Sequence, residues 1–219
     1  MTDVTTPGGP RGPTADRRPS RIFLLSPALL GGVRGRRILE GRGPAWLVEA
    51  LSGGGRVPLG DVHAFISSLY FRGKRAYGRR FGVRAAGSAT LVITPDRGLV
   101  PEDEPVDRKA LARMAEVKVD PGEPRYRRPL VESARHLVDE LGPHGRVVLL
   151  GSLATPKYLD PLGAVLRGRV LVPAAFVGLG DMQRGSLLLR AVEAGEELAY
   201  VDAGEIASVS ESGGAGVES

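Results

Sequence analysis

"RIFLLSP" (residues 21–27) and "RVVLLGS" (residues 146–152) decide the fold, because their apolar residues run without a break and end abruptly in small turn residues. A strand with one face in water alternates apolar and polar residues; a continuous run needs cover on both faces. "TLVITP" (90–95) and "RVLVPAAFVG" (169–178) repeat the pattern. The segments between these runs space their apolar residues by three and four, as helices do. They are "AWLVEAL" (45–51), "LGDVHAFISSLYFRGKRAYGRRF" (59–81), "DRKALARMAEV" (107–117), "RPLVESARHLVDELG" (128–142) and "MQRGSLLLRAVEAG" (182–195). Asp107 before the third, and Gly142 with Pro143 after the fourth, supply boundary signals. Strand alternating with helix predicts an α/β fold: a mainly parallel sheet with helices on both faces.

The ends of the chain read differently. Residues 1–20 hold Pro, Gly, Thr, Asp and Arg with few large apolar residues, and residues 202–219 are small and acidic. Both are expected to be disordered tails around a single domain of residues 21–201. Removing the tails raises the net charge from +5 for the whole chain to +8 for the core. That surplus suits DNA or another phosphate-bearing ligand; because 26 of the 30 basic residues are Arg, it is equally an arginine-rich composition.

The chain has no cysteine, so disulfides, thiolate metal sites and a cysteine nucleophile are excluded. His63, His136 and His144 are too scattered for a zinc site. There is no signal-peptide pattern and no apolar run of membrane-spanning length, so no membrane partner and a cytoplasmic location are expected.

Open parallel sheets bind ligands beyond the carboxyl ends of their strands. The residues to inspect there are Ser26; Asp96 and Arg97; Ser152, Lys157 and Tyr158; and Gly180, Asp181 and Arg184. The stretch "GLGDMQRGSLLLR" (178–190) is the most motif-like, but Gln183 stands where a dinucleotide fingerprint needs its third glycine. G-x-x-x-x-G-K-[ST] occurs nowhere, and no cofactor is expected. What remains is a helix start whose free N–H groups, with Arg184 one turn in, suit an anion, or else a plain cap by Asp181 beside a surface cation.

In four blocks the chain resembles the YaaA-type peroxide-stress proteins. "IFLLSPA" (22–28) matches the family's opening strand ending in Ser-Pro-Ala, and "LVITPDRGLVPEDE" (91–104) its Gly-Leu and Pro, here Gly98, Leu99 and Pro101. "VVLLGSLATPKYLDPL" (147–162) supplies the Tyr after a strand, Tyr158, and the last block matches at Gly180, Met182, Arg184 and Arg190. Three charged positions depart: Leu179 stands for the family's Arg, Lys157 for an acid and Leu29 for a Lys. The resemblance implies DNA binding and protection against oxidative damage, with no transferable catalytic mechanism.

Two readings follow. In the first, "YFRGKRAYGRRFGVR" (70–84) binds nucleic acid, Arg72, Lys74, Arg75, Arg79 and Arg80 meeting phosphates while aromatics stack on bases. As a helix, however, the segment puts Tyr70, Tyr77 and Phe81 near one face, the pattern of a core. In the second, an enzyme acts on a nucleotide or nucleoside-like substrate in the strand-exit pocket, with Asp96 and Asp181 as catalytic carboxylates for N-glycosidic cleavage. Arg97, Lys157 and Arg184 would hold the anion, and Ser26, Ser152 or Tyr158 would orient it. No nucleophile and base stand at a diagnostic spacing.

Overall fold

The computed structural model describes residues 20–152 and 155–206. Its centre is β1 (Arg21–Leu25), from which the chain passes through two short helices, α1 (Val33–Leu39) and α2 (Ala45–Ala50), to β2 (Val57–Pro58) and the long α3 (Leu59–Phe81). Then come β3 (Thr90–Thr94), β4 (Gly98–Pro101), β5 (Pro105–Val106), α4 (Arg108–Ala115) and α5 (Pro124–Leu141). The last third holds β6 (Arg146–Leu150), α6 (Leu159–Leu166), β7 (Val170–Pro173), α7 (Asp181–Ala194) and β8 (Tyr200–Asp202).

The sheet order is β4-β3-β1-β6-β7-β8. β3, β1, β6 and β7 are parallel, and β4 and β8 pair antiparallel at the two edges. The unbroken apolar runs have the reason the sequence predicted. Phe23, Leu25, Val92, Val148 and Leu150 point into one core, packed with residues of α1 to α4 and α7. Their strand neighbours Ile22, Leu24, Leu91, Ile93, Val147 and Leu149 point into a second core under α5 and α6. Each strand therefore feeds two cores, and the fold is α/β with helices on both faces.

Four features depart from the sequence reading. The residues after β3 do not lead into a helix: Thr94 pairs with Gly98, so Asp96 and Arg97 occupy a tight hairpin turn. Gly98 makes the turn with φ +69°, and Thr94 Oγ1 fastens it by donating to the Gly98 carbonyl and accepting from the Arg97 N–H. The long helix is also broken in the middle. Ser68 has φ 48° and ψ −118°, and the Arg34 guanidinium donates to the carbonyls of Phe65 and Ile66 just before the break, where helical bonding is interrupted. Third, α5 starts before residue 128: Pro124 fits the first helical position and Glu123 caps it through the Arg125 N–H.

Last, the folded unit runs past residue 201. Asp202 pairs with Leu171, and Ala203 is buried in the second core. The rest of the acidic tail, residues 207–219, and the N-terminal residues 1–19 lie outside the described residues. Among the described residues no helix is long and apolar enough to cross a membrane.

α3 and α7 cross at a pair of glycines. A Cβ on Gly185 would stand 2.8 Å from the Tyr70 Cα, and one on Gly73 would stand 2.7 Å from the Gly185 carbonyl oxygen. Backbone touches backbone there, which fixes the second half of α3, including Lys74, relative to the start of α7.

Candidate functional site

The chain goes from β1 outward to β3, then returns across β1 to β6 and on to β7. The switch point therefore lies between the carboxyl ends of β1 and β6, where crossovers leave on opposite faces and a crevice is expected. Ser26 follows β1 and Gly151 follows β6. They are in close contact: a Cβ on Gly151 would stand 3.2 Å from the Ser26 Cβ.

Beside this junction is a cavity of about 490 Å³. Its walls are mostly apolar: Pro27 to Gly31 after β1, Pro95 after β3, and Met114, Val117 and Val119 at the end of α4. Lys118, Lys157, Tyr158 and Glu116 supply the polar wall. Lys118 is paired with Asp120 at 3.0 Å. Lys157 makes no ion pair among the described residues, and its ammonium stands 5.1 Å from the Tyr158 ring centre. Tyr158 is buried; desolvation pushes its phenol up, and the Ser26 side chain opposes the shift.

Behind the junction is a cation that sequence placed on the outer edge of a helix. Lys74 is 2% exposed. Its Nζ donates to the Ser26 carbonyl at 2.6 Å and lies 2.8 Å from Ser26 Oγ. The rings of Tyr70 and Phe71 stand 4.4 and 5.0 Å from it, and no carboxylate forms an ion pair with it among the described residues. Burial pushes the ammonium down to about 7, with the Asp181 charge partly restoring it and Arg184 opposing that.

The surrounding groups are equally dry. His63 is fully buried and accepts the Ala28 N–H on Nδ1 at 3.1 Å, so its proton sits on Nε2, which has no partner among the described residues. Burial, then Lys74, pushes it down to about 3, so the ring is neutral. The Tyr70 hydroxyl is buried, and Arg184 lies near enough to favour its ionised form but outside hydrogen-bonding geometry. Desolvation dominates and pushes that phenol up.

The remaining expected site residues fall elsewhere. Arg184 is buried: its Nε and Nη2 donate to the Phe176 carbonyl, and Asp181 is 3.6 Å from Nη1. It fastens the turn before α7 and does not line the cavity. Gly180 is the residue before α7, its N–H taken by the Gln183 side chain. Asp181 is exposed at the helix start. Asp96 lines a neighbouring cavity of about 470 Å³ with Arg113, Arg125 and Arg128; burial raises its pKa and its Oδ1 has no partner among the described residues. The structure does not bring Asp96 and Asp181 together on the wall of the crevice, where Glu116 is the one carboxylate among the described residues. Arg97 pairs with Glu104 at 3.6 Å, and Ser152 lies half-buried after β6.

The basic helix segment is mostly spoken for. Arg75 is bonded to both Asp61 and the buried Glu102, and Arg79 to Glu102 as well. Tyr70, Phe71 and Tyr77 are buried and cannot stack on bases. Arg72 and Arg80 are left as its exposed cations without an ion pair among the described residues.

Comparison with family models, with curated proteins and with solved structures returns no match.

Proposed function

We propose that the chain is an enzyme acting on a nucleotide or nucleoside-like small molecule in the crevice at the β1/β6 switch point. The observation that carries this reading is the cavity itself. It has the size of a small-ligand site, and its walls are apolar with a few convergent polar groups. Lys157 on its wall supplies a cation that makes no ion pair among the described residues. A flat apolar body against Pro27, Leu30 and Pro95, with an anionic group at Lys157, matches that lining. The nucleic-acid reading, which the resemblance to YaaA-type proteins favours, ranks second. It needs a row of free cations, and the ion pairs of Arg75 and Arg79 interrupt that row.

Calorimetric titration of nucleosides and their monophosphates separates the two. A monophosphate is expected to bind, and Lys157→Ala to weaken it by about tenfold, the worth of one charge-assisted contact, with little effect on the parent nucleoside. Absence of nucleotide binding, together with tight and steeply salt-dependent DNA binding lost in an Arg72→Ala, Arg80→Ala double variant, would reverse the ranking.

A further inference from the structure

We propose that Ser26 and Lys74 are a nucleophile and its general base, and that the substrate held in the crevice is an ester or amide whose acyl group passes through Ser26. This rests on the crevice as the substrate site.

Four observations carry it. The Lys74 amine and the Ser26 hydroxyl are 2.8 Å apart, within reach for direct proton transfer. No carboxylate pairs with Lys74 among the described residues; Tyr70, Phe71 and His63 pack around it as apolar or neutral groups, and from α7 the charges of Asp181 and Arg184 act on it in opposite senses. Both hydrogen-bond partners of Lys74 Nζ are oxygens of Ser26, and a neutral amine can serve them in the sense catalysis needs. One N–H is given to the Ser26 carbonyl at 2.6 Å, and the nitrogen lone pair is left to accept the hydroxyl proton. Finally, Ser26 is buried directly behind the cavity wall: the next residue, Pro27, and Tyr158, whose phenol meets the Ser26 side chain, both line the cavity. A lysine held near neutral pH by burial has the basicity such a role needs, and Ser-Lys pairs replace the Ser-His arrangement on unrelated folds.

The step balances within the chain and water. As Ser26 Oγ bonds to the acyl carbon, its proton passes to neutral Lys74 Nζ. The tetrahedral oxyanion then collapses, the bond to the leaving oxygen or nitrogen breaks, and the leaving group takes the proton from the Lys74 ammonium. A water molecule repeats the sequence: it gives a proton to Nζ and its oxygen bonds to the acyl carbon. The Ser26 Oγ–acyl bond breaks with return of the proton to Ser26, releasing a carboxylic acid.

Treatment of the full chain with phenylmethanesulfonyl fluoride, followed by intact mass and peptide mapping, tests the pair without needing the natural substrate. One sulfonyl group is expected on Ser26, at a rate that rises with pH through about 7 and then levels. Lys74→Met and Lys74→Gln, each checked for folding by circular dichroism, should both slow the labelling by at least about a hundredfold, the usual worth of a positioned base. Absence of modification at Ser26 in the folded wild type overturns the proposal, as does a rate that either folded Lys74 variant leaves unchanged. Nucleotide binding without labelling would remove the acyl chemistry and leave the crevice reading standing. Labelling without nucleotide binding would keep the acyl chemistry at the crevice and overturn the nucleotide as its ligand.

Discussion

Lys74→Met should make the protein more stable at pH 6.5, by about 1–3 kcal/mol, and should flatten its stability between pH 7 and 10. The wild-type lysine carries a burial penalty whenever it is charged. Its pKa falls from 10.5 to about 7 on folding, so between those values the unfolded chain binds a proton that the folded chain does not. Stability then rises with pH, by at most about 1.4 kcal/mol per unit. The penalty is fully felt below pH 7 and is relieved as pH climbs toward 10.5. Methionine keeps the length and apolar contacts without the charge, and replacing a buried ion in this way is often stabilising. The loss of two hydrogen bonds to Ser26 opposes the gain. His63 contributes a similar rise only below its unfolded value of 6.5, outside this window. Urea denaturation of both proteins at pH 6.5 and 9.5 checks the prediction; parallel pH dependences would show that Lys74 is charged in the folded state throughout.

Glu102→Ala is expected to destabilise the fold by about 3 kcal/mol, the range found when one partner of a buried ion pair is removed. Glu102 is 3% exposed and accepts from the Nε of both Arg75 and Arg79. Its backbone also takes the Gly60 N–H at 2.7 Å, where α3 begins. The side chain therefore ties the strand region after β4 to the later turns of α3, while the backbone ties it to the helix start. Removing it strands a half-buried Arg75 with Asp61 alone. Urea denaturation gives the value, and a loss below about 1 kcal/mol, the figure for exposed pairs, would mean that both arginines are solvated and free for an anionic partner.

The parts of this architecture that were legible in the sequence are those set by burial on two faces. Runs such as Arg21–Leu25 and Arg146–Leu150 are apolar throughout after the leading arginine, and their shortness with turn residues at the end suits a strand between two cores. The break at Ser68 left no mark, because the apolar spacing continues through it and no Gly or Pro interrupts "AFISSLYF". β8 was hidden for the opposite reason: with three half-buried residues in an acidic stretch, it is held by edge pairing to β7 rather than by its own hydrophobicity.

The site was legible in its address more than in its members. Strand exits pointed to Ser26, Lys157 and Tyr158, and these meet at the switch point. Lys74 was grouped with exposed cations by composition, although its phase was readable: it lies four residues after Tyr70 and three before Tyr77, on the face that packs inward. A base 48 residues from its serine leaves no local motif; only the fold of α3 against β1 brings them together.

The most direct measurement is the titration of the lysines themselves. The chain has four, Lys74, Lys109, Lys118 and Lys157, so ¹³Cε-lysine labelling gives four resolvable NMR signals, assigned by substitution. The account predicts that the Lys74 signal titrates near 7, far below the ordinary lysine value of about 10.4. A Lys74 signal that does not move until the ordinary lysine range, about 10.4, would contradict it, since a lysine charged at neutral pH cannot take the Ser26 proton.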